Sequence, residues 1–120
     1  MIDFVKIGVV VLLLDSIYIN IVLKNYLELI KEVQGNTLQI NFLGAILCYA
    51  CIIFMLHYFI IKENKPIKDA FILGLCTYGI YEFTNMAIFN KWTSPIIYVD
   101  VVWGGILYAL TTHIIQNKYI

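Results

Sequence analysis

The chain has 120 residues, of which 62% are hydrophobic and only 13% are charged. Soluble domains carry about a quarter charged residues, so this composition predicts an integral membrane protein with the lipid bilayer as its surroundings. Eight lysines balance eight acidic residues, and arginine is absent. Because the chain has no excess of positive charge, the sequence excludes a nucleic-acid partner.

Four apolar stretches are each close to the ~20 residues that a helix needs to cross a bilayer. They cover residues 4–23, 38–61, 70–89 and 95–115. A transmembrane barrel needs at least about eight strands, which a chain of this length cannot supply. The sequence therefore predicts an all-α, polytopic integral membrane protein: a four-transmembrane-helix bundle with up-down-up-down topology, forming one domain over residues 1–120.

The connections between these stretches have distinct compositions. Residues 24–36 combine Lys, Glu and Gln with apolar residues at helical spacing. This pattern predicts a short amphipathic segment at the membrane interface, ending near Gly35. In the last connection Trp92 is expected at the interface, followed by Ser94 as a helix cap and Pro95 as the first helical residue.

The lysines indicate an orientation for the bundle. In an up-down-up-down topology, five of them lie on the side of the two termini and three lie on the opposite side. Positive residues accumulate on the cytoplasmic side of membrane proteins. The sequence therefore predicts both termini in the cytoplasm.

Three acidic residues, Asp15, Glu82 and Asp100, lie inside three different predicted spans. An unpaired charge there costs several kcal/mol, and such residues usually mark functional sites. With a rise of about 1.5 Å per residue, they lie about 16, 19 and 22 Å from the boundary on the side of the termini. We therefore expect the three carboxyl groups to share one layer of the bundle and to form a ligand or proton site.

Polar and aromatic side chains one helical turn away are expected to donate hydrogen bonds to these carboxyl groups. Spacing within one helix pairs Tyr18 with Asp15 and Trp103 with Asp100. The expected partners of Glu82 are Tyr78, Tyr81 and Asn85.

No lysine lies at the depth of Asp15, Glu82 and Asp100. Either the carboxyl groups are mostly protonated, or the site binds something positive that the chain does not encode: protons, an organic cation or a hard metal ion. Oxygen ligands from these three acids suit a divalent cation such as Ca²⁺, Mg²⁺ or Mn²⁺. The other interpretation is a purely structural cluster of neutral acids that hydrogen-bond between helices.

The histidines suggest a second site. His57 and His113 lie at similar depth in the second and fourth predicted helices, so they could face each other as metal or haem ligands. A histidine near a helix end is more often interfacial and hydrogen-bonded. Cys48 and Cys51 have the spacing of a redox motif, but no strand or base accompanies them, so they are interpreted as packing surface.

Short motifs extend along nearly the whole chain: Leu14-Asp15, Tyr26, residues 78–85, Lys91-Trp92 and residues 99–104. These motifs resemble the signature of domain-of-unknown-function family 2177, predicted four-helix membrane proteins. Two positions differ, because the family usually has Asp at the position of Glu82 and Trp at the position of Tyr18. The resemblance implies the four-helix membrane architecture and the choice of acids, and it implies no activity.

The leading functional hypothesis is a small membrane carrier or ion-binding protein for protons or a cation. Four helices enclose little volume, so transport would need a homodimer. One alternative is a metal-dependent membrane enzyme acting on a lipid or isoprenoid. The sequence therefore leaves open whether the protein is an enzyme. Against this alternative, such enzymes normally use Arg or Lys near a diphosphate. Another alternative is a structural or regulatory subunit whose acids pair with a basic partner inside the bilayer.

Overall fold

The computed structural model describes residues 2–35 and 41–119. Over those residues the chain forms four helices and no strand, which confirms the predicted all-α four-helix bundle. The helices are α1 (Ile2–Gln34), α2 (Phe42–Leu56, continued by a π-helical turn over His57–Ile61), α3 (Ile67–Ile88) and α4 (Ile96–Gln116).

Three of the four helices are long and apolar enough to cross a membrane by length and composition alone: α1, α2 with its π-helical turn, and α4. Helix α3 has 22 residues, but polar residues such as Thr77, Glu82 and Asn85 lower its mean hydropathy. It packs along α4 and therefore lies at the same depth as that helix. Its crossing of the bilayer remains a prediction from the sequence.

Neighbouring helices are antiparallel. Near the beginning of α1, Phe4 contacts His57 late in the second span, whereas further along α1 Asp15 contacts Tyr49 near the middle of α2. In the contacts of α3 with α4 and of α4 with α1, residues early in one helix likewise meet residues late in the other. The bundle is therefore up-down-up-down, and both ends of the described chain lie at the same end of it.

Helix α1 extends further than the sequence predicts. The segment expected as a separate, peripheral element over residues 24–36 is helical to residue 34 and continues α1 without a break. Part of its apolar face packs within the protein: Leu29 is 3% exposed and lies in one cluster with Tyr26, Trp92 and Ile96, whereas Leu27 is 39% exposed. The segment continues α1 because one face of it packs against the connection between α3 and α4, and its position at the membrane interface stays a prediction.

The ends of the helices have defined caps. Gly35 has a φ of 79°, and its N–H donates to the Lys31 carbonyl at 2.8 Å, so α1 ends in the left-handed cap that glycine favours, as predicted. Asn41 caps α2 by accepting the N–H of Gly44 at 3.1 Å. Residues 38–40, where the second helix was expected to begin, lie outside the described residues.

Helix α4 begins one residue later than expected. Pro95 precedes its first residue, Ile96, rather than forming the first helical position. The predicted cap is present, because the Ser94 hydroxyl accepts the Ile96 N–H at 3.3 Å.

Glycines bring α3 and α4 into close contact. A Cβ atom at Gly74 would lie 2.1 Å from the carbonyl oxygen of Gly104, and one at Gly104 would lie 2.3 Å from the ring of Tyr78. A Cβ at Gly105 would lie 2.9 Å from Phe71. The two backbones therefore approach more closely than any other residue type permits, as small residues allow in membrane bundles.

The core of the bundle has a polar layer between two apolar clusters. The cluster on the side of the termini includes Ile7, Leu56, Leu107 and Tyr108. The cluster at the opposite end consists of Val22, Leu29, Trp92, Ile96 and Ile97. In α1, α3 and α4 the buried carboxyl groups of Asp15, Glu82 and Asp100 lie between these clusters.

We expect Gly74→Ala to destabilise the protein, because its methyl group would overlap the backbone of α4 and such overpacking costs about 1–3 kcal/mol. The measurement is the thermal unfolding midpoint of the purified protein in detergent. Gly79→Ala on the same helix is the matched control: its added Cβ meets only ordinary contacts, the closest at 3.5 Å from Phe83. Equal unfolding midpoints for the two variants would contradict the close contact between α3 and α4.

Candidate functional site

The three acids singled out from the sequence are all buried. Asp15 is 7% exposed, Glu82 is fully buried and Asp100 is 8% exposed. They come from α1, α3 and α4, and all three line one cleft. The predicted convergence of three carboxyl groups at one level of the bundle is therefore present in the structure.

Asp15 is held by donors from two other helices. The Trp103 indole of α4 donates its Nε1–H to Oδ1 at 3.0 Å. The Tyr49 hydroxyl of α2 donates to Oδ2. Because an indole N–H can only donate, Asp15 Oδ1 acts as an acceptor.

Asp100 accepts a hydrogen bond from the Tyr18 hydroxyl of α1, at 3.1 Å. The rings of Tyr18 and Trp103 stack almost in parallel, with centroids 4.7 Å apart and an interplanar angle of 6°. The stack lies between Asp15 and Asp100, since each ring belongs to the helix of one acid and bonds to the acid of the other helix. Helices α1 and α4 are therefore tied together by two reciprocal hydrogen bonds.

Glu82 is held by two donors at the end of the bundle away from the termini. The Tyr26 hydroxyl donates to Oε2 at 2.5 Å, and the Trp92 indole donates to Oε1 at 2.9 Å. The carboxyl of Asp100 lies in hydrogen-bonding range of the Glu82 carboxyl and of the Tyr26 hydroxyl. Glu82 and Asp100 thus form a pair of adjacent buried acids.

The partners of the acids differ from those predicted. Tyr18 was expected beside Asp15 and Trp103 beside Asp100, but each donates to the acid on the opposite helix. Side chains one turn apart on a helix project outward in nearly the same direction. A long aromatic side chain therefore reaches the helix that it faces rather than its own neighbour one turn away.

Three residues of the site were not assigned to it from the sequence: Tyr26, Tyr49 and Trp92. A signal for Tyr26 existed, because it follows Asp15 by eleven residues, about three helical turns, and so lies on the same face of α1. Trp92 was expected at the membrane interface, but it is 4% exposed and bonds to Glu82. No acid accompanies Tyr49 on α2, so only the packing of α2 against α1 reveals its role.

The remaining predicted partners line the cleft without bonding to Glu82. Tyr78 and Tyr81 form part of the wall, and Asn85 lies in hydrogen-bonding range of Tyr81. The expected bond from Asn85 to Glu82 is not formed among the described residues. Tyr81 is 56% exposed, so it stands at the rim of the cleft.

Two clefts meet at Asp100. The first, named the carboxylate cleft, has a volume of about 310 Å³ and is lined by the three acids, Ile19, Val22, Leu23 and four tyrosines, Tyr18, Tyr26, Tyr78 and Tyr81. The second, named the cysteine cleft, has a volume of about 280 Å³ and lies between α2 and α3. Its wall consists of Cys48, Cys51, Ile52, Met55, Thr77, Tyr78, Tyr81 and Asp100. Tyr78, Tyr81 and Asp100 separate the two clefts and belong to both.

No basic side chain of the described residues neutralises these acids. Seven of the eight lysines are exposed, and Lys6 is partly exposed near the beginning of α1. The three acids are instead held by neutral O–H and N–H donors. A negative charge on any of them is therefore spread over these bonds and is not cancelled by a basic side chain of the described residues.

In the described parts of the chain, no group of three or more His, Cys, Asp or Glu side chains is placed to hold a metal ion. His57 and His113 do not pair. The His57 ring packs on Phe4, with centroids 4.2 Å apart, and His113 Nδ1 bonds to the Asn117 amide at 3.1 Å. The identity of any bound ion stays a prediction.

We expect Tyr49→Phe to lower the unfolding midpoint in detergent, because the buried Asp15 carboxyl loses a donor and a buried acceptor left without its partner costs about 1–3 kcal/mol. Tyr58→Phe is the matched control, since Tyr58 lies on the same span and packs its ring against Phe54 and Lys62, contacts that phenylalanine keeps. Equal effects of the two changes would show that the Tyr49 hydroxyl does not stabilise Asp15.

Comparison with known proteins gives one match. The model of a family described as predicted membrane protein (DUF2177) matches residues 1–115. No curated protein and no solved structure matches the chain.

Proposed function

The chain belongs to the DUF2177 family of predicted membrane proteins, and we propose that its three buried acids form an intramembrane binding site for protons or another cation, in a small carrier or ion-binding protein. The observation that carries the proposal is a buried set of three acids with no buried basic group in the described chain. A charge in this position is costly unless something positive accompanies it.

The adjacent pair of Glu82 and Asp100 is the proposed exchange point. Two carboxyl groups in hydrogen-bonding range repel each other when both are charged and are stabilised when they share one proton. The indole of Trp92 holds one oxygen of Glu82 as an acceptor, which leaves the shared proton between the two acids. Arrival of another cation would then displace that proton.

The two clefts support a carrier rather than a static site. Asp100 lines both of them, so a cation bound there has an approach from the side of α1 and another from the side of α2. Tyr78 and Tyr81 also line both clefts, and in this proposal their rings form the barrier between the two approaches.

Two further properties belong to this proposal. Four helices enclose little volume, so we propose that transport takes place in a homodimer, which light scattering of the purified protein in detergent would test. We also propose that both termini are cytoplasmic, as the lysine distribution favours. Accessibility of a C-terminal tag in intact and permeabilised cells would test this orientation.

Both tryptophans of the chain lie in the site, so intrinsic fluorescence reports on it directly. In the single-tryptophan variant Trp103→Phe, we expect the emission of Trp92 to change across the pH range in which the carboxyl groups titrate, because its N–H bonds to Glu82. The change should be lost when Glu82→Gln is added and reduced when Asp100→Asn is added. Glu63→Gln, in the exposed connection before α3, is the control and should leave the titration unchanged.

The transport part of the proposal is tested in liposomes containing the purified protein and an entrapped pH-sensitive dye. Under an imposed membrane potential, we expect proton flux above that of empty liposomes, reduced to the empty-liposome rate by Asp100→Asn and unaffected by Glu63→Gln. Flux that is equal in Asp100→Asn and in the unaltered protein would overturn the carrier. The binding site itself would be overturned if the fluorescence titration of the Trp103→Phe protein stayed the same after Glu82→Gln or Asp100→Asn is added.

A further inference from the structure

We propose that the cation is a small lipophilic organic cation, whose charged group lies beside Glu82 and Asp100 and whose apolar group lies in the cysteine cleft. This inference rests on the proposed cation site and names the class of ligand that it takes. Three features of the two clefts carry it: their volume, the hydrogen bonds of the acids and the composition of the walls.

The volume of the clefts fits an organic molecule. The carboxylate cleft alone measures about 310 Å³, whereas one water molecule occupies about 30 Å³ in the liquid. Pockets for organic ligands begin at about this size. A bare metal ion would leave most of the space to water.

The hydrogen bonds of the acids disfavour a hard metal ion. Five of the six carboxylate oxygens in Asp15, Glu82 and Asp100 accept a hydrogen bond from a tyrosine or tryptophan. Calcium takes about 6–8 oxygen ligands in direct contact, and among the described residues no group of three or more His, Cys, Asp or Glu side chains is placed to hold a metal ion. An organic ammonium ion requires only proximity to the negative charge.

The walls suit a cation that carries apolar groups. Four tyrosine rings line the carboxylate cleft, and aromatic rings attract organic cations through their electron-rich faces. On the other side of Tyr78 and Tyr81, the cysteine cleft presents Cys48, Cys51 and Met55, which pack against apolar or aromatic groups. It lies between α2 and α3, helices that make few contacts with each other.

Binding is coupled to proton release. The positive group approaches the pair of Glu82 and Asp100, the proton that they share leaves to water, and the net charge of the site is unchanged. The affinity for the organic cation therefore rises with pH until the pair has lost its proton.

The experiment uses the full chain in lipid nanodiscs and three probes: phenyltrimethylammonium, its uncharged isostere tert-butylbenzene, and tetramethylammonium, which lacks the apolar ring. Tryptophan emission measures binding. Alkylation of the native cysteines, followed by mass spectrometry, measures occupation of the cysteine cleft. All three cysteines are exposed, but Cys76 lies outside that cleft, on the far face of α3, and serves as the internal control.

We expect phenyltrimethylammonium to bind saturably and to slow alkylation of Cys48 and Cys51 but not of Cys76. The other two probes should bind at least about tenfold more weakly, since each lacks one of the two recognised groups. Asp100→Asn should weaken the binding of phenyltrimethylammonium by about tenfold or more, whereas Glu63→Gln should leave it unchanged. The affinity should also increase with pH in the unaltered protein.

Three results would overturn the inference and leave the proposed function standing. The first is equal binding of tetramethylammonium and phenyltrimethylammonium without protection of Cys48 and Cys51, which would place the whole ligand outside the cysteine cleft. The second is a pH titration of Trp92 emission with no response to any of the three probes. The third is equal binding of tert-butylbenzene, which would show that charge is not recognised. Absence of both the probe response and the pH titration would overturn the inference and the proposed function together.

Discussion

Three acidic side chains are buried at one level of this bundle, and no lysine is buried with them. A buried carboxylate is tolerated when it accepts several hydrogen bonds from well-placed donors. Here the donors are tyrosine hydroxyls and tryptophan indoles, and each comes from an element other than the helix of the acid that it serves. The hydrogen bonds that satisfy the acids therefore also hold the helices together.

The need for these hydrogen bonds explains features of the fold that look unrelated. The glycine contact brings α3 close to α4, which places the Glu82 carboxyl in range of Asp100. The extension of α1 beyond the predicted span brings Tyr26 to Glu82, and burial of Trp92 in the connection after α3 supplies the second donor. The apolar clusters on either side of the polar layer keep it enclosed at both ends of the bundle.

Neutral donors stabilise the acids without cancelling their charge, and this distinguishes the site from a set of buried salt bridges. The acids face a cleft with aromatic walls, and Asp100 connects that cleft with a second, more apolar one. The chain belongs to a family of predicted membrane proteins. In a medium that solvates ions poorly, a cation is strongly favoured beside buried acids.

The sequence by itself determined the class of protein, the four helices, their alternating directions and the three acids. These follow from local quantities: the length of apolar runs, short connections and the cost of a charge in lipid. It did not determine the partners of the acids, because spacing along one helix shows which residues share a face and not which residue of another helix lies opposite. Tyr18 and Trp103 were therefore assigned to the wrong acids, and Tyr49 was not assigned at all. Only the tertiary structure decided these pairings, the continuation of α1 to Gln34 and the burial of Trp92, since each depends on contacts between segments that are distant along the chain.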